Sequence, residues 1–132
     1  MSRTLGQERA AFALEQLRNR LSKVSDENKK DFKKDFPGFT AGLPAMILQN
    51  GFGQTLAFLL AKAGDNQADK HYIAFEIITD WLREKEVLNG ESKEEVMEYI
   101  SNQMDQAQYL HAQRETLAML EWLKRFANAE LF

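Results

Sequence analysis

The chain has 132 residues, of which 44% are hydrophobic, 28% charged and 11% aromatic, and its formal net charge is -3. That length suffices for one compact domain with a real core and is too short for two of ordinary size, and the mix of charged and aromatic residues predicts a chain that folds unaided. The absence of cysteine excludes disulfides, thiolate nucleophiles and thiolate zinc sites. The acidic balance argues against a stand-alone, strongly basic nucleic-acid binder, while leaving room for a local basic face within a larger assembly.

The opening residues, Met1 to Arg9, lack the apolar stretch and cleavage site of a secretory signal. The longest apolar run, Leu56 to Ala61, falls far short of the roughly 20 residues that span a bilayer. The expected location is the cytoplasm. Thr4 and Gln7 have the spacing of a capping box for a first helix, whose Ala10, Leu14, Leu17, Leu21 and Val24 share one face. Ser25 is the expected cap of a second helix, with Phe32 and Phe36 on its apolar edge and Lys29, Lys30, Lys33 and Lys34 opposite, ending at Pro37-Gly38.

The apolar stretch from Leu43 to Lys62 is broken by Asn50, Gly51 and Gly53. A glycine inside a helix costs roughly 1 kcal/mol relative to alanine, so the pair either ends one helix and opens another or admits a close neighbour. Asn50-Gly51 favours the first, and Pro44 suits the first turn of a helix. The stretch therefore reads as a short helix, a tight glycine elbow and a longer buried helix through Phe52, Leu56, Leu59, Leu60 and Ala63.

Gly64-Asp65-Asn66 reads as a turn, followed by a well-buried helix carrying Ala68, Tyr72, Phe75, Ile78 and Leu82 that ends before Asn89-Gly90. Ser92 and Glu95 box a short acidic helix to about Ile100. The last helix is expected from near Ser101 almost to the end. His111, Arg114, Ala118, Glu121, Arg125 and Asn128 form its narrow polar stripe, against a broad arc of Tyr109, Ala112, Met119, Leu120, Trp122, Leu123, Phe126 and Ala127. The expected fold class is all-α: a single compact domain over residues 1–132, about six helices, and a long, largely buried C-terminal helix.

Candidates for chemistry are few. His111 and Glu115 share a helix face at i, i+4, but no second histidine completes a ligand set, and the elbow glycines lack the lysine and hydroxyl of a phosphate loop. The acidic pairs Glu84, Glu86 and Glu94, Glu95 read as solvated helix faces. No catalytic site, metal or cofactor is expected. Lys29, Lys30, Lys33 and Lys34 interleave with Asp26, Glu27, Asp31 and Asp35, which favours a salt-bridged surface helix over a phosphate-binding face. Arg114 and Arg125, about three turns apart, share a face with Lys124 beside them. With Glu121 four residues before Arg125, this stripe reads equally as a nucleic-acid or partner surface and as an ordinary polar face. Lysine concentrates in residues 23–34 and acid in residues 84–105. Such asymmetry would let copies stack head to tail through a heterologous contact.

The block Leu43 to Phe58, LPAMILQNGFGQTLAF, with Lys62, and the block Arg114 to Ala127, RETLAMLEWLKRFA, together with the opening Arg9-Ala10-Ala11-Phe12-Ala13, carry a family likeness. They resemble the small α-helical subunit of the Cmr complex, the type III-B CRISPR-Cas effector, in the same order over essentially the whole chain. Phe52 stands where that family more often has leucine. The resemblance implies a noncatalytic building block of an antiviral ribonucleoprotein, stacked in a minor filament with copies of itself beside other Cmr subunits, with guide RNA and target RNA held between. On that basis Lys62, Arg114, Lys124 and Arg125, with Arg18 added from the first helix, are expected at phosphates. The plain alternative for each is an internal ion pair or helix C-terminal placement. Gln49, Asn50 and Gln54 flank the elbow and are expected either to meet a neighbouring subunit or, as the favoured reading, to cap the broken helices locally. Trp122 and Phe126 read as core rather than base-stacking residues. The competing class is a stand-alone helical adaptor or regulator that grips a protein partner without nucleic acid. Salt sensitivity separates the two.

Overall fold

A computed structural model describes residues 2–132, and among these every regular element is helical. In chain order they are α1 (Leu5–Lys23), a 3-10 turn (Asp26–Asn28), α2 (Lys29–Asn50), α3 (Phe52–Ala63), α4 (Lys70–Glu84), α5 (Lys93–Glu98), a π-helical turn (Tyr99–Gln103) and α6 (Gln106–Asn128). The all-α expectation with six α-helices holds. Residues up to Pro44 together with Ala118–Phe132 form one compact unit, and Ala45–Leu117 form a second, so α2 and α6 each contribute residues to both. None of the described helices is long and apolar enough to cross a membrane.

In the first unit the Thr4 box forms as expected: the Gln7 N–H donates to Thr4 Oγ1 at 3.0 Å, and the Thr4 N–H donates to Gln7 Oε1 at 2.8 Å. The face of α1 centres on Ala13 and Leu17, which are fully buried, while Leu14, Leu21 and Val24 are half-buried. Ser25 does not cap the next helix. Its hydroxyl instead accepts the Asn28 side-chain amide at 2.9 Å, within the 3-10 turn.

The larger departure is that α2 does not stop at Pro37-Gly38, and Pro44 does not open a helix; both prolines lie inside one 22-residue helix. An interior proline costs about 3 kcal/mol through a lost hydrogen bond and a clash with the preceding turn. Burial offsets it, because Phe36, Thr40 and Leu43 recur at helical spacing and are fully buried, and each large apolar side chain contributes about 1.5–3 kcal/mol. The Pro37 carbonyl also accepts the Thr40 hydroxyl at 2.9 Å and the Asn128 side-chain amide at 3.2 Å. Phe32 stacks on Phe36 at 4.7 Å and meets Phe132 edge-on at 5.9 Å.

From α6 this unit buries Met119, Leu120, Leu123 and Ala127. Trp122 and Phe126 are not core residues. Trp122 is 39% exposed and Phe126 half-buried, with ring centroids 5.5 Å apart. Trp122 sits about 100° around the helix from Leu123 and falls off the buried line.

In the second unit α3 packs against α4. Phe52, Leu56 and Leu59 of α3 are buried, as are Ile73, Ala74, Phe75, Ile77, Ile78, Thr79, Trp81 and Leu82 of α4. Asp69 caps α4, its carboxylate accepting the His71 N–H at 2.7 Å and lying 2.6 Å from His71 Nδ1. Burial alone would raise the Asp69 carboxyl; the bonds and charge of His71 and the charge of Lys70 outweigh it and hold the group below its ordinary 3.8. After α4, Arg83 ties the chain down, donating from Nε to the Gly90 carbonyl at 2.7 Å and from Nη1 to Asp80 at 2.8 Å. The Ser92 and Glu95 capping box forms as expected. Between α5 and α6 the π-helical turn delays the last helix to Gln106, five residues beyond the expected start. There Asp105 and Gln108 make a further reciprocal cap, with bonds of 2.8 and 2.9 Å.

Candidate functional site

The glycine elbow lies wholly within the second unit. Gly51 has φ 88°, a left-handed conformation that a side chain disfavours, and its N–H closes the end of α2 on the Ile47 carbonyl at 2.7 Å. With no side chain of its own at that cap, α3 draws acceptors from α6. The Phe52 N–H donates to Gln113 Oε1 at 2.9 Å, and the Gly53 N–H donates to the Tyr109 hydroxyl oxygen at 2.7 Å. The Phe52 and Tyr109 rings meet edge-on at 5.7 Å. A Cβ at position 53 would stand 3.2 Å from that hydroxyl and 3.6 Å from Ile100 Cγ2. Gly51 thus serves the break, and Gly53 serves the close approach of Tyr109.

Gln49, Asn50 and Gln54 are exposed, and their side chains make no hydrogen bond among the described residues. The favoured expectation of local capping is overturned: the caps come from Tyr109 and Gln113, more than fifty residues away. Three amide side chains around the elbow are left facing solvent.

Glu115 is a buried acceptor. Its carboxylate takes the Trp81 indole N–H at 3.0 Å, and Lys85 Nζ lies 5.0 Å from the centroid of the Trp81 ring. His111, by contrast, is exposed. Among the described residues no three of His, Asp and Glu converge on a common point that suits a metal ion.

The expected phosphate contacts divide between the units. In the first, Arg18 is exposed on α1 beside a shallow crevice bordered by Leu14, Glu15 and Asn19. Glu121 holds Lys124 at 3.1 Å and only grazes Arg125 at 4.0 Å, leaving the Arg125 side chain 74% exposed. Of the lysines that open α2, Lys29 pairs with Asp26 at 3.1 Å. Lys30, Lys33 and Lys34 are exposed with no ion pair among the described residues, so the expected salt-bridged helix is mostly unpaired. In the second unit Arg114 is exposed without an ion pair among the described residues, and Lys62 Nζ lies 5.8 Å from the Phe58 centroid.

Charge separates with the units. The first holds eleven Lys and Arg against eight Asp and Glu, a net +3; the second holds six against twelve, a net -6. In the second unit burial, then the charges of Glu76 and Glu94, push the Tyr72 phenol above 10.0 against the pull of Arg83. The uneven lysine and acid runs foreshadow this segregation, but only folding adds Lys124 and Arg125 to the basic unit.

The family model described as CRISPR-associated protein (Cas_Cmr5) matches residues 5–130, a span that takes in the glycine elbow, the Tyr109 and Gln113 caps and all five expected phosphate contacts. The chain therefore belongs to the Cas_Cmr5 family of CRISPR-associated proteins and is a Cmr-type subunit.

Proposed function

We propose that this chain is a noncatalytic small subunit of an RNA-guided type III-B CRISPR-Cas (Cmr) effector complex. It stacks with copies of itself and with other Cmr subunits as a minor filament, helping to hold the guide RNA–target RNA duplex in antiviral defence in the cytoplasm. The observation that carries this reading is the segregation of charge, +3 in one compact unit and -6 in the other. Opposite charge on two parts of one chain favours a heterologous contact, which propagates into an open stack instead of closing as a symmetric dimer.

Exposed Lys30, Lys33 and Lys34, with no ion pair among the described residues, and the largely exposed Arg125 supply the sequence-independent part of RNA affinity, while base pairing between guide and target supplies specificity. A chain with net charge -3 binds RNA weakly by itself and gains avidity from repeated copies. The test is the triple reversal Lys30→Glu, Lys33→Glu, Lys34→Glu, followed by sedimentation and by RNA retention in the reconstituted complex across a salt series. We expect weaker self-association and a shallower salt dependence. Unchanged stacking and unchanged retention would contradict the reading.

A further inference from the structure

We propose that the exposed face of α3 carries a stacking site for one unpaired nucleobase, built from Phe58, Lys62 and His71; this rests on the RNA-binding reading above and adds to it a contact to a base rather than to the backbone. Phe52, Leu56 and Leu59 of α3 are buried, but Phe58 is 40% exposed. Its neighbours on that face, Gln54, Ala57 and Ala61, are exposed, uncharged and mostly small, so the ring stands open to a flat ligand. Lys62, one turn on, is the only charged residue in α3, and its Nζ lies 5.8 Å from the Phe58 centroid. The His71 ring meets Phe58 edge-on at 6.3 Å, and its orientation is fixed by Asp69 at 2.6 Å from Nδ1.

An open aromatic face flanked by a mobile ammonium and a fixed imidazole suits a single-stranded nucleotide. Every base has a π-face that stacks on phenylalanine without sequence readout. The lysine holds the ring weakly when the site is empty and swings to the adjoining phosphate when a base covers it. A duplex offers no such base, so the site takes a flipped, looped or terminal nucleotide.

The experiment measures binding of the assembled complex, carrying either wild-type chain or a variant, to 5′-labelled oligoadenylate and to an abasic strand of equal length and charge. Wild type should prefer the base-bearing strand by roughly tenfold, the scale of one base stacked on an aromatic ring. Phe58→Leu should abolish that preference with the salt slope retained. Phe58→Trp should keep the preference, and Lys62→Gln should keep it while lowering the salt slope by about one phosphate's worth. Equal binding of the two strands by wild type, or an undiminished preference in Phe58→Leu, would overturn the stacking site and leave the backbone-binding reading intact. Failure of wild type to bind either strand would overturn both. Loss of assembly in Phe58→Leu would assign the face to a protein neighbour and overturn the proposal.

Discussion

The Tyr109 hydroxyl oxygen accepts the Gly53 N–H at 2.7 Å across 56 residues of sequence, so α6 caps α3 where the glycine elbow cannot cap itself. Tyr109→Phe removes the acceptor and is expected to cost about 1–2 kcal/mol in urea unfolding. Gly53→Ala gains helix propensity but drives a methyl to 3.2 Å from the same hydroxyl. It is expected to destabilise the wild type and to be neutral or stabilising in Tyr109→Phe, a coupling that a double-mutant cycle reads directly.

Two buried hydroxyls, Thr55 Oγ1 and Thr116 Oγ1, have no hydrogen-bond partner among the described residues. Replacing either threonine by valine keeps the shape and removes an unsatisfied polar group. Each change is expected to raise stability by about 1 kcal/mol, seen as a higher urea midpoint with an unchanged slope.

The Trp81 indole N–H donates to Glu115 inside the second unit. Trp81→Phe keeps an aromatic side chain but removes the indole N–H and part of the buried volume, and is expected to lose about 1–3 kcal/mol. Glu115→Gln preserves an acceptor and is expected to lose less than Glu115→Ala. A reversed order would mean that the carboxylate is not held as an acceptor for the indole.

Asp69 governs part of the acid response. Its folded carboxyl lies below its unfolded value, so the α4 cap contributes its full stability above about pH 4 and loses it as pH falls through the folded value. Asp69→Asn is expected to flatten the fall in urea midpoint as the solution is made more acidic than about pH 5. An equally steep fall in the variant would remove Asp69 from the account.

Glu121 partly neutralises the basic end of α6 by holding Lys124 at 3.1 Å. Glu121→Gln is expected to change stability by less than about 0.5 kcal/mol, because exposed ion pairs contribute little. The same change is expected to tighten RNA binding by the assembled complex and to steepen its salt dependence. Arg125→Glu should do the reverse.

What was readable beforehand has a common physical basis. The capping boxes at Thr4 and Ser92, the break at Gly51 and the turn at Gly64 all involve partners within a few residues, so spacing alone reveals them. Pro37 and Pro44 mislead because their local cost is overcome by tertiary burial of Phe36, Thr40 and Leu43, which no window of sequence contains. Tyr109 looked like a member of a helix face and proved, together with Gln113, to cap another helix; Glu115 looked like half of a weak metal pair and proved to be the acceptor of Trp81. The elbow glycines were the one signal that could have pointed to Tyr109, since they allow a close neighbour as well as a break. Among the candidate contacts, exposure of Arg114 and Arg125 agrees with the polar stripe read from the sequence of the last helix. The division into a +3 unit and a -6 unit depends on which distant segments fold together.

The most direct test of the central claim is to purify a tagged copy from its native cell at low salt, identify the proteins that accompany it, and size and sequence any RNA. The account predicts a large ribonucleoprotein carrying short RNAs with a shared repeat-derived 5′ end. A clean monomer, or a single protein partner without RNA, would contradict it and favour a stand-alone helical adaptor.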